Sequence, residues 1–267
     1  RSSLSHGQRK HAGHISCFVL ADCFHFARSA LPVLQDTMAY LMECAVCITA
    51  ALCVAGVAIG MWSQVQGGGI PLHRAFGWHP VLMTLAYAGI MPLGRWAYLA
   101  GRGADARSAD IDCREKARRR LVHRGLMIFA VSMGTLGYFA IIVAHSAKPY
   151  RRFGYNWDTG EFAEWRRVLH SVVGQGLATL VLVQAIIGGL KMQALKEGIV
   201  MHQVHGRVGK IIMLCGMGNM LLATWFWNWS STLKAMLSML LVILALLTFW
   251  QRPPNAELHE AVPLEPP

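Results

Sequence analysis

Long stretches without charge constrain this chain more than any other feature of its sequence. No Asp, Glu, Lys or Arg occurs in residues 44–72, 168–190, 211–233 or 235–250, and residues 121–144 contain only Arg124. A helix needs about 20 apolar residues to cross the hydrocarbon core of a bilayer. Because these runs meet or approach that length, the sequence predicts a polytopic helical membrane protein.

The low charged fraction agrees with this prediction, since it is 15% whereas soluble domains have about 25%. Tryptophans lie near most ends of the predicted spans, as an interfacial aromatic belt requires. The predicted fold is an all-α bundle of six transmembrane helices within a domain of residues 38–251. The six spans are predicted at residues 39–62, 76–99, 119–144, 166–191, 200–226 and 232–250.

Two tails flank this predicted domain. Residues 1–37 are basic, with no acidic residue before Asp22. They are interpreted as a tail, as the remnant of a targeting segment, or as sequence upstream of a translation start at Met38. Residues 252–267 are polar and rich in proline, so we expect them to be disordered.

The basic residues predict the orientation. Most of the 25 Lys and Arg fall in the two tails and in the second and fourth connections between spans. The positive-inside rule then places both termini on the cytosolic side or an equivalent inner side. The net charge of +11 follows from these inner loops, and no nucleic-acid partner is expected.

Histidines recur near the starts of four consecutive predicted spans. An ionisable residue within a span is costly and usually marks a function or a specific partner. One such histidine could simply bond to a hydroxyl or carbonyl of a neighbouring helix, but four at matched depth favour a shared role. The four at similar depth are His79, His123, His170 and His202.

His205 is a second histidine near the start of the fifth span. From the predicted start of that span, it would lie about 4.5 Å deeper than His202 and point about 60° away around the helix. One plane of ligands cannot readily use both side chains. The sequence therefore favours His202 over His205.

Alternating helix directions put these histidines into two pairs. His79 and His170 are expected at the outer face, and His123 and His202 at the inner face. Two pairs suit two haems, each held by two imidazoles within a helix bundle, whereas zinc takes three or four protein ligands. Gly174 and Gly206 each follow a predicted ligand by four residues, which leaves room for a flat macrocycle.

The seven cysteines indicate neither a disulfide nor a zinc site. Cys44 and Cys47 are more typical of packed thiols in a membrane helix than of a redox pair. No Cys-x-x-Cys-His motif is present, so covalent haem attachment is not expected.

Several segments resemble the cytochrome b561 family, closest to the membrane domain of its DOMON-linked and fungal branches. They are "WHPVLMTLAYAGIMPLG", "RRRLVHRGLM", "RVLHSVVGQGLATLVLVQAIIGGL" and "HQVHGRVGKIIMLCGMGN". The resemblance covers roughly residues 76–225. The 37 residues before the first span are too few for a DOMON domain, so we expect none in this chain. The four haem-ligating histidines of the family match His79, His123, His170 and His202, the last through a His followed after three residues by Gly-Arg.

The resemblance implies a transmembrane electron carrier with two non-covalent haems of type b. An ascorbate-like reductant inside would be oxidised, and monodehydroascorbate or a ferric chelate outside would be reduced, which makes the chain an oxidoreductase. Two alternatives stay open: a structural subunit of a larger membrane complex that keeps the fold, and a quinol-linked cytochrome b. A homodimer or a larger membrane complex is compatible with each of these functions.

Basic residues near the predicted haem sites are candidates for binding anionic substrates, although they are equally explained by their effect on topology. The inner candidates are Arg118, Arg119, Arg120, Lys191 and Lys196. The outer candidates are Lys148, Arg151, Arg152, Arg166 and Arg167.

Overall fold

The structure is a computed structural model, and it describes residues 37–38, 40–63, 74–99, 113–146, 153–196 and 204–250. The described residues within Glu43–Leu99 and Asp112–Pro253 belong to one compact unit, which holds nearly all of the described elements. The helices are α1 (Tyr40–Ser63), α2 (Ala75–Thr84), α3 (Met91–Leu99), α4 (Cys113–Ser146), α5 (Trp165–Lys196), α6 (Val204–Phe226) and α7 (Ser231–Trp250).

Five of these helices, α1, α4, α5, α6 and α7, are long and apolar enough to cross a membrane. The prediction of an all-α, multi-pass membrane protein is confirmed at this level. The helix α7 (Ser231–Trp250) agrees with the predicted sixth span to within one residue, and α1 (Tyr40–Ser63) covers residues 40–62 of the predicted first span.

The predicted second span is helical along its length but is divided into three short pieces. A π-helical segment, Leu85–Ile90, separates α2 from α3. Pro80 lies inside α2, and the hydroxyl of Thr84 donates a hydrogen bond of 2.7 Å to the carbonyl of Pro80. Because each piece is short, none of the three is long enough by itself to cross a membrane. The predicted number of six spans therefore stays a prediction.

The π-helical segment lies at the centre of the packing. Residues Ala86–Ile90 are all buried, and the ring of Tyr87 packs directly on Gly216 of α6. On another side, Gly89 lies close to Val54 of α1. A π-helical turn widens the helix locally, and here the widened turn packs against α1 and α6.

Four helical elements form a closed ring. The combined α2, π-helical and α3 element packs against α4, α4 packs against α5, α5 packs against α6, and α6 returns to the π-helical segment. α7 packs against α6 and against α1, where Gly56 and Gly60 face Leu237 and Trp229. Of the predicted haem-binding histidines, His79 lies in α2, His123 in α4 and His170 in α5.

A short β-hairpin precedes α5. Its strands are β1 (Tyr155–Asn156) and β2 (Glu161–Phe162), which pair antiparallel. Gly154, just before β1, and Gly160, the last residue of the turn, have φ angles of +72° and +70°, a region that side-chain-bearing residues rarely occupy.

Candidate functional site

His79 and His170 meet at one end of the helical ring. Their side chains come from α2 and α5, their ring centroids are 6.3 Å apart, and their ring planes are nearly perpendicular at 86°. Both side chains are partly buried between the helices. The predicted spatial pairing of these two histidines is thus present, and we refer to this end as the His79 end.

Each ring of this pair is fixed by a hydrogen bond from Nδ1. His79 Nδ1 lies 2.9 Å from the carbonyl oxygen of Gly137 in α4, and His170 Nδ1 lies 3.1 Å from that of Asn219 in α6. A carbonyl oxygen only accepts, so both Nδ1 atoms must donate. Nε2 of each neutral ring then keeps its lone pair, which is the arrangement that metal-binding histidines use.

Asn219 holds His170 from two sides. Besides accepting from the imidazole, it donates from Nδ2 to the backbone carbonyl of His170 at 3.3 Å. A Cβ atom added at Gly174, one turn after His170, would lie 3.3 Å from the same Nδ2 atom. Gly174 therefore allows the Asn219 side chain to approach α5 beside the histidine pair.

Aromatic rings surround the His79 end. Phe226 lies 5.3 Å from the His170 ring, between ring centroids, and the guanidinium of Arg167 lies 5.7 Å from the centroid of Phe226. Phe76 contacts both His145 and Trp227, at centroid distances of 6.0 Å and 5.7 Å. These rings make the surroundings of the two imidazoles largely aromatic.

His123 lies at the opposite end of the ring, which we call the His123 end. Its Nδ1 donates to the carbonyl oxygen of Gly94 in α3 at 2.8 Å, and its ring centroid is 5.3 Å from that of Tyr98. Residues 79 and 94 lie on one continuous helical element, so the two ends are separated by roughly 20 Å at about 1.5 Å per residue.

Among the described histidines, His205 is the candidate for a second ligand beside His123. It lies in the first turn of α6, it interacts electrostatically with His123 and Lys191, and a Cβ atom added at Gly188 would lie 3.1 Å from its Cε1 atom. Its Nδ1 atom is buried and has no hydrogen-bond partner within the described ranges. Gln184 of α5 donates from Nε2 to its backbone carbonyl.

His202, the predicted partner of His123, lies outside the described residues. Its assignment as a ligand stays a prediction. A Cβ atom at Gly206, which was expected to make room for a haem, would have no neighbour within 4 Å in the described structure. The contacts of His205 support it as a rival for the same position.

Three basic side chains gather at the His123 end. Lys191 and Arg95 both interact electrostatically with His123, and Arg95 also interacts with Lys210. Lys210 additionally donates a 2.8 Å hydrogen bond to the carbonyl of Phe249, at the end of α7. Among the predicted inner substrate residues, Lys191 interacts electrostatically with both His123 and His205.

The other predicted substrate residues are distributed differently. Arg118 and Arg120 are exposed and Arg119 is half-buried in the first turns of α4. Arg166 lies 3.6 Å from the carboxylate of Glu164, and Arg167 packs over Phe226. Lys148, Arg151, Arg152 and the side chain of Lys196 lie outside the described part of the chain.

Sequence reasoning missed Arg95, Gln184 and Asn219. Each is a polar residue within or beside an apolar run, where burial without a partner is expensive. A polar residue in such a run therefore indicates that its side chain has a partner, and this signal could have identified the three residues. Histidine spacing alone could not reveal them.

Comparison with known proteins adds no family assignment. No protein-family model matches the chain, and no curated protein matches it significantly. Within the described residues, no group of three or more His, Cys, Asp or Glu side chains is placed to hold a metal ion. A proposal for the function therefore depends mainly on the histidine pair at the His79 end.

Proposed function

We propose that the chain is a membrane electron carrier that binds two haems of type b, one at each end of the helical ring, through pairs of histidines. The observation that carries the proposal is the His79–His170 pair. Its two rings come from different helices and lie 6.3 Å apart with nearly perpendicular planes, and each Nδ1 atom donates to a backbone carbonyl.

The spacing of this pair fits a shared metal atom. Two imidazoles bound to opposite sides of one metal through nitrogen bonds of about 2 Å have ring centres roughly 6 Å apart. The observed separation is 6.3 Å. His79 and His170 would hold the haem at this end, and Gly174 would allow Asn219 to approach α5 beside His170.

At the other end, His123 would supply one ligand. The resemblance to cytochrome b561 supports His202 as the second, whereas the contacts of His205 with Gly188 and its electrostatic interaction with His123 support His205. We adopt His205, because its ring lies against Gly188 of α5 and interacts electrostatically with His123.

The protein orients these imidazoles before any cofactor binds. The carbonyl groups of Gly137, Asn219 and Gly94 fix the tautomer of three rings, and such bonds also raise the basicity of the opposite nitrogen. Held by two histidines, a haem would supply reversible one-electron chemistry.

The charges at the His123 end favour an anionic reductant. Arg95, Lys191 and Lys210 raise the local positive potential, which attracts anions to a site of low dielectric constant. Following the family resemblance, the reductant would be ascorbate-like. The acceptor at the His79 end would be monodehydroascorbate or a ferric chelate, which Arg167 is positioned to attract.

A pyridine haemochrome assay on the purified full-length chain tests the cofactor. We expect two non-covalent haems of type b per chain, and one in a His79→Ala, His170→Ala double variant. A content of one haem or none in the unmodified chain would contradict the proposal.

Reduction of the oxidised protein by ascorbate tests the donor. Haems that ascorbate fails to reduce but a quinol reduces would indicate a quinol-linked cytochrome. Haems that neither reduces would indicate a structural subunit.

A further inference from the structure

The hairpin before α5 has two chemically different faces. Tyr155 pairs with Phe162 and Asn156 pairs with Glu161 across its two strands. Side chains of paired residues lie on the same face of a sheet, and successive residues point to opposite faces. One face is therefore aromatic and the other is polar.

The aromatic face extends beyond its central pair. The Tyr155 ring packs edge-on against Trp157 with centroids 4.8 Å apart, and against Phe162 at 4.9 Å. Trp157 is 68% exposed and Phe162 is 69% exposed, and the flanking residues Phe153 and Trp165 are 53% and 63% exposed. Four large apolar rings are thus uncovered within 13 residues of chain.

The hairpin is held against the first turn of α5. Gly154 lies so close to Val168 that an added Cβ atom would be 2.9 Å from its Cγ2 atom. The amide of Ala163 donates to the carbonyl of Gly154 at 2.6 Å, and the amide of Arg167 donates to that of Glu164 at 2.9 Å. Any position that α5 takes in a membrane therefore fixes the position of the hairpin.

Trp165 also begins the apolar run of α5, whose membrane-spanning stretch is Trp165–Ala194. Leu169 and Val172 follow on the same helical face and are exposed, as expected of side chains that contact lipid. The aromatic face is thus adjacent to a lipid-facing surface, at the level where the hydrocarbon core begins.

We propose that the aromatic face of the hairpin lies in the interfacial layer of the bilayer, beside the start of α5, and that its partner is lipid. Aromatic rings with a polar edge favour the level of the headgroups, and Asn156 and Glu161 on the opposite face remain hydrated. At 150–250 Å² per ring, the exposed rings offer roughly 400–600 Å², below the approximately 800 Å² that each partner contributes to a standard protein interface.

Fluorescence quenching in nanodiscs tests this placement with the full-length chain. The chain has nine tryptophans. The difference in emission between the unmodified protein and Trp157→Phe gives the contribution of Trp157 alone. Phosphatidylcholine brominated on its acyl chains near the headgroup should lower this difference by about twofold, since the ring would lie in the interfacial layer. Aqueous iodide should leave it unchanged.

Trp229 provides the matched control. It is only 7% exposed and packs against Gly60 inside the protein, so the difference obtained with Trp229→Phe should respond to neither quencher. For Trp157, quenching by iodide alone would place the hairpin in water and overturn the proposal. Protection from both quenchers would mean that protein covers the ring, which would overturn it as well. Neither outcome depends on haem binding.

Discussion

At the scale of single residues, one contact recurs at both ends of the molecule. His79, His123 and His170 each direct Nδ1 to a backbone carbonyl of a neighbouring helix, at 2.8–3.1 Å. The accepting residues are Gly137, Gly94 and Asn219. A histidine held in this way presents Nε2 in a fixed direction, so the three rings are oriented by the fold itself.

His205 and His202 can be separated by a pair of matched variants. His205→Ala should reduce the haem content from two to one per chain, because it removes the imidazole proposed to hold the haem together with His123. His202→Ala should retain both haems and serves as the control for local disturbance of the same turn. A pyridine haemochrome assay measures both. Loss of a haem in His202→Ala alone would restore the assignment made from the sequence.

A second pair of variants tests the space beside His170. Gly174→Leu should remove the haem at the His79 end, because the new side chain would occupy the position where Asn219 approaches α5. Gly176→Leu, two residues away, is the control, since a Cβ atom there has no neighbour within 4 Å. We expect one haem per chain in the first variant and two in the second. Equal haem contents in the two variants would contradict the role given to Gly174.

At the scale of the elements, the π-helical segment organises the packing. Its buried residues contact α1, α4 and α6, and the contact of Tyr87 with Gly216 brings α6 close to the centre of the ring. Any side chain at position 216 would overlap the tyrosine ring. The close approach of these two elements therefore depends on glycine.

Gly216→Ala should lower the free energy of unfolding by about 1–3 kcal/mol, the usual cost of an extra carbon in a packed core. Gly218→Ala is the control, because its Cβ atom would meet nothing within 4 Å. It should be neutral or stabilising by up to about 1 kcal/mol, since alanine favours a helix over glycine. Thermal unfolding in detergent, followed by tryptophan fluorescence, compares the two. Equal unfolding temperatures would contradict the tight packing at Gly216.

The helices could be predicted from the sequence more fully than the site. Apolar runs of membrane-spanning length predict where α1 and α7 lie, because a helix needs about 20 apolar residues to cross the hydrocarbon core. Nothing in "LAYAGI" distinguishes a π-helical turn from an α-helical one, so the division of the second span was not predicted. The choice between His202 and His205 depended on the position of a helix start, and an error of one turn reverses it.

At the scale of the whole molecule, four elements form a ring with a histidine site near each end, and α1 and α7 pack together on one side. The ends of the ring are chemically different. Three basic side chains gather near His123, whereas aromatic rings surround His79 and His170. The positive-inside rule predicts that the His123 end lies on the inner side of the membrane and the His79 end on the outer side.

Cysteine labelling tests that orientation. In sealed cells or vesicles of native orientation, a variant with Cys113 as its single cysteine should resist an impermeant thiol reagent until the membrane is permeabilised. Thr159→Cys in the exposed hairpin turn, placed in a cysteine-free background, should react without permeabilisation. The reverse pattern would invert the predicted topology.

The length of α4 has a consequence for how the protein responds to its bilayer. Its 34 residues extend about 50 Å, well beyond a hydrocarbon core of about 30 Å, and a helix adapts to a change in membrane thickness by tilting. This same helix contributes His123 at one end and the carbonyl that orients His79 at the other. Tilting α4 would therefore disturb both histidine sites together, and hydrophobic mismatch would shift their reduction potentials in concert.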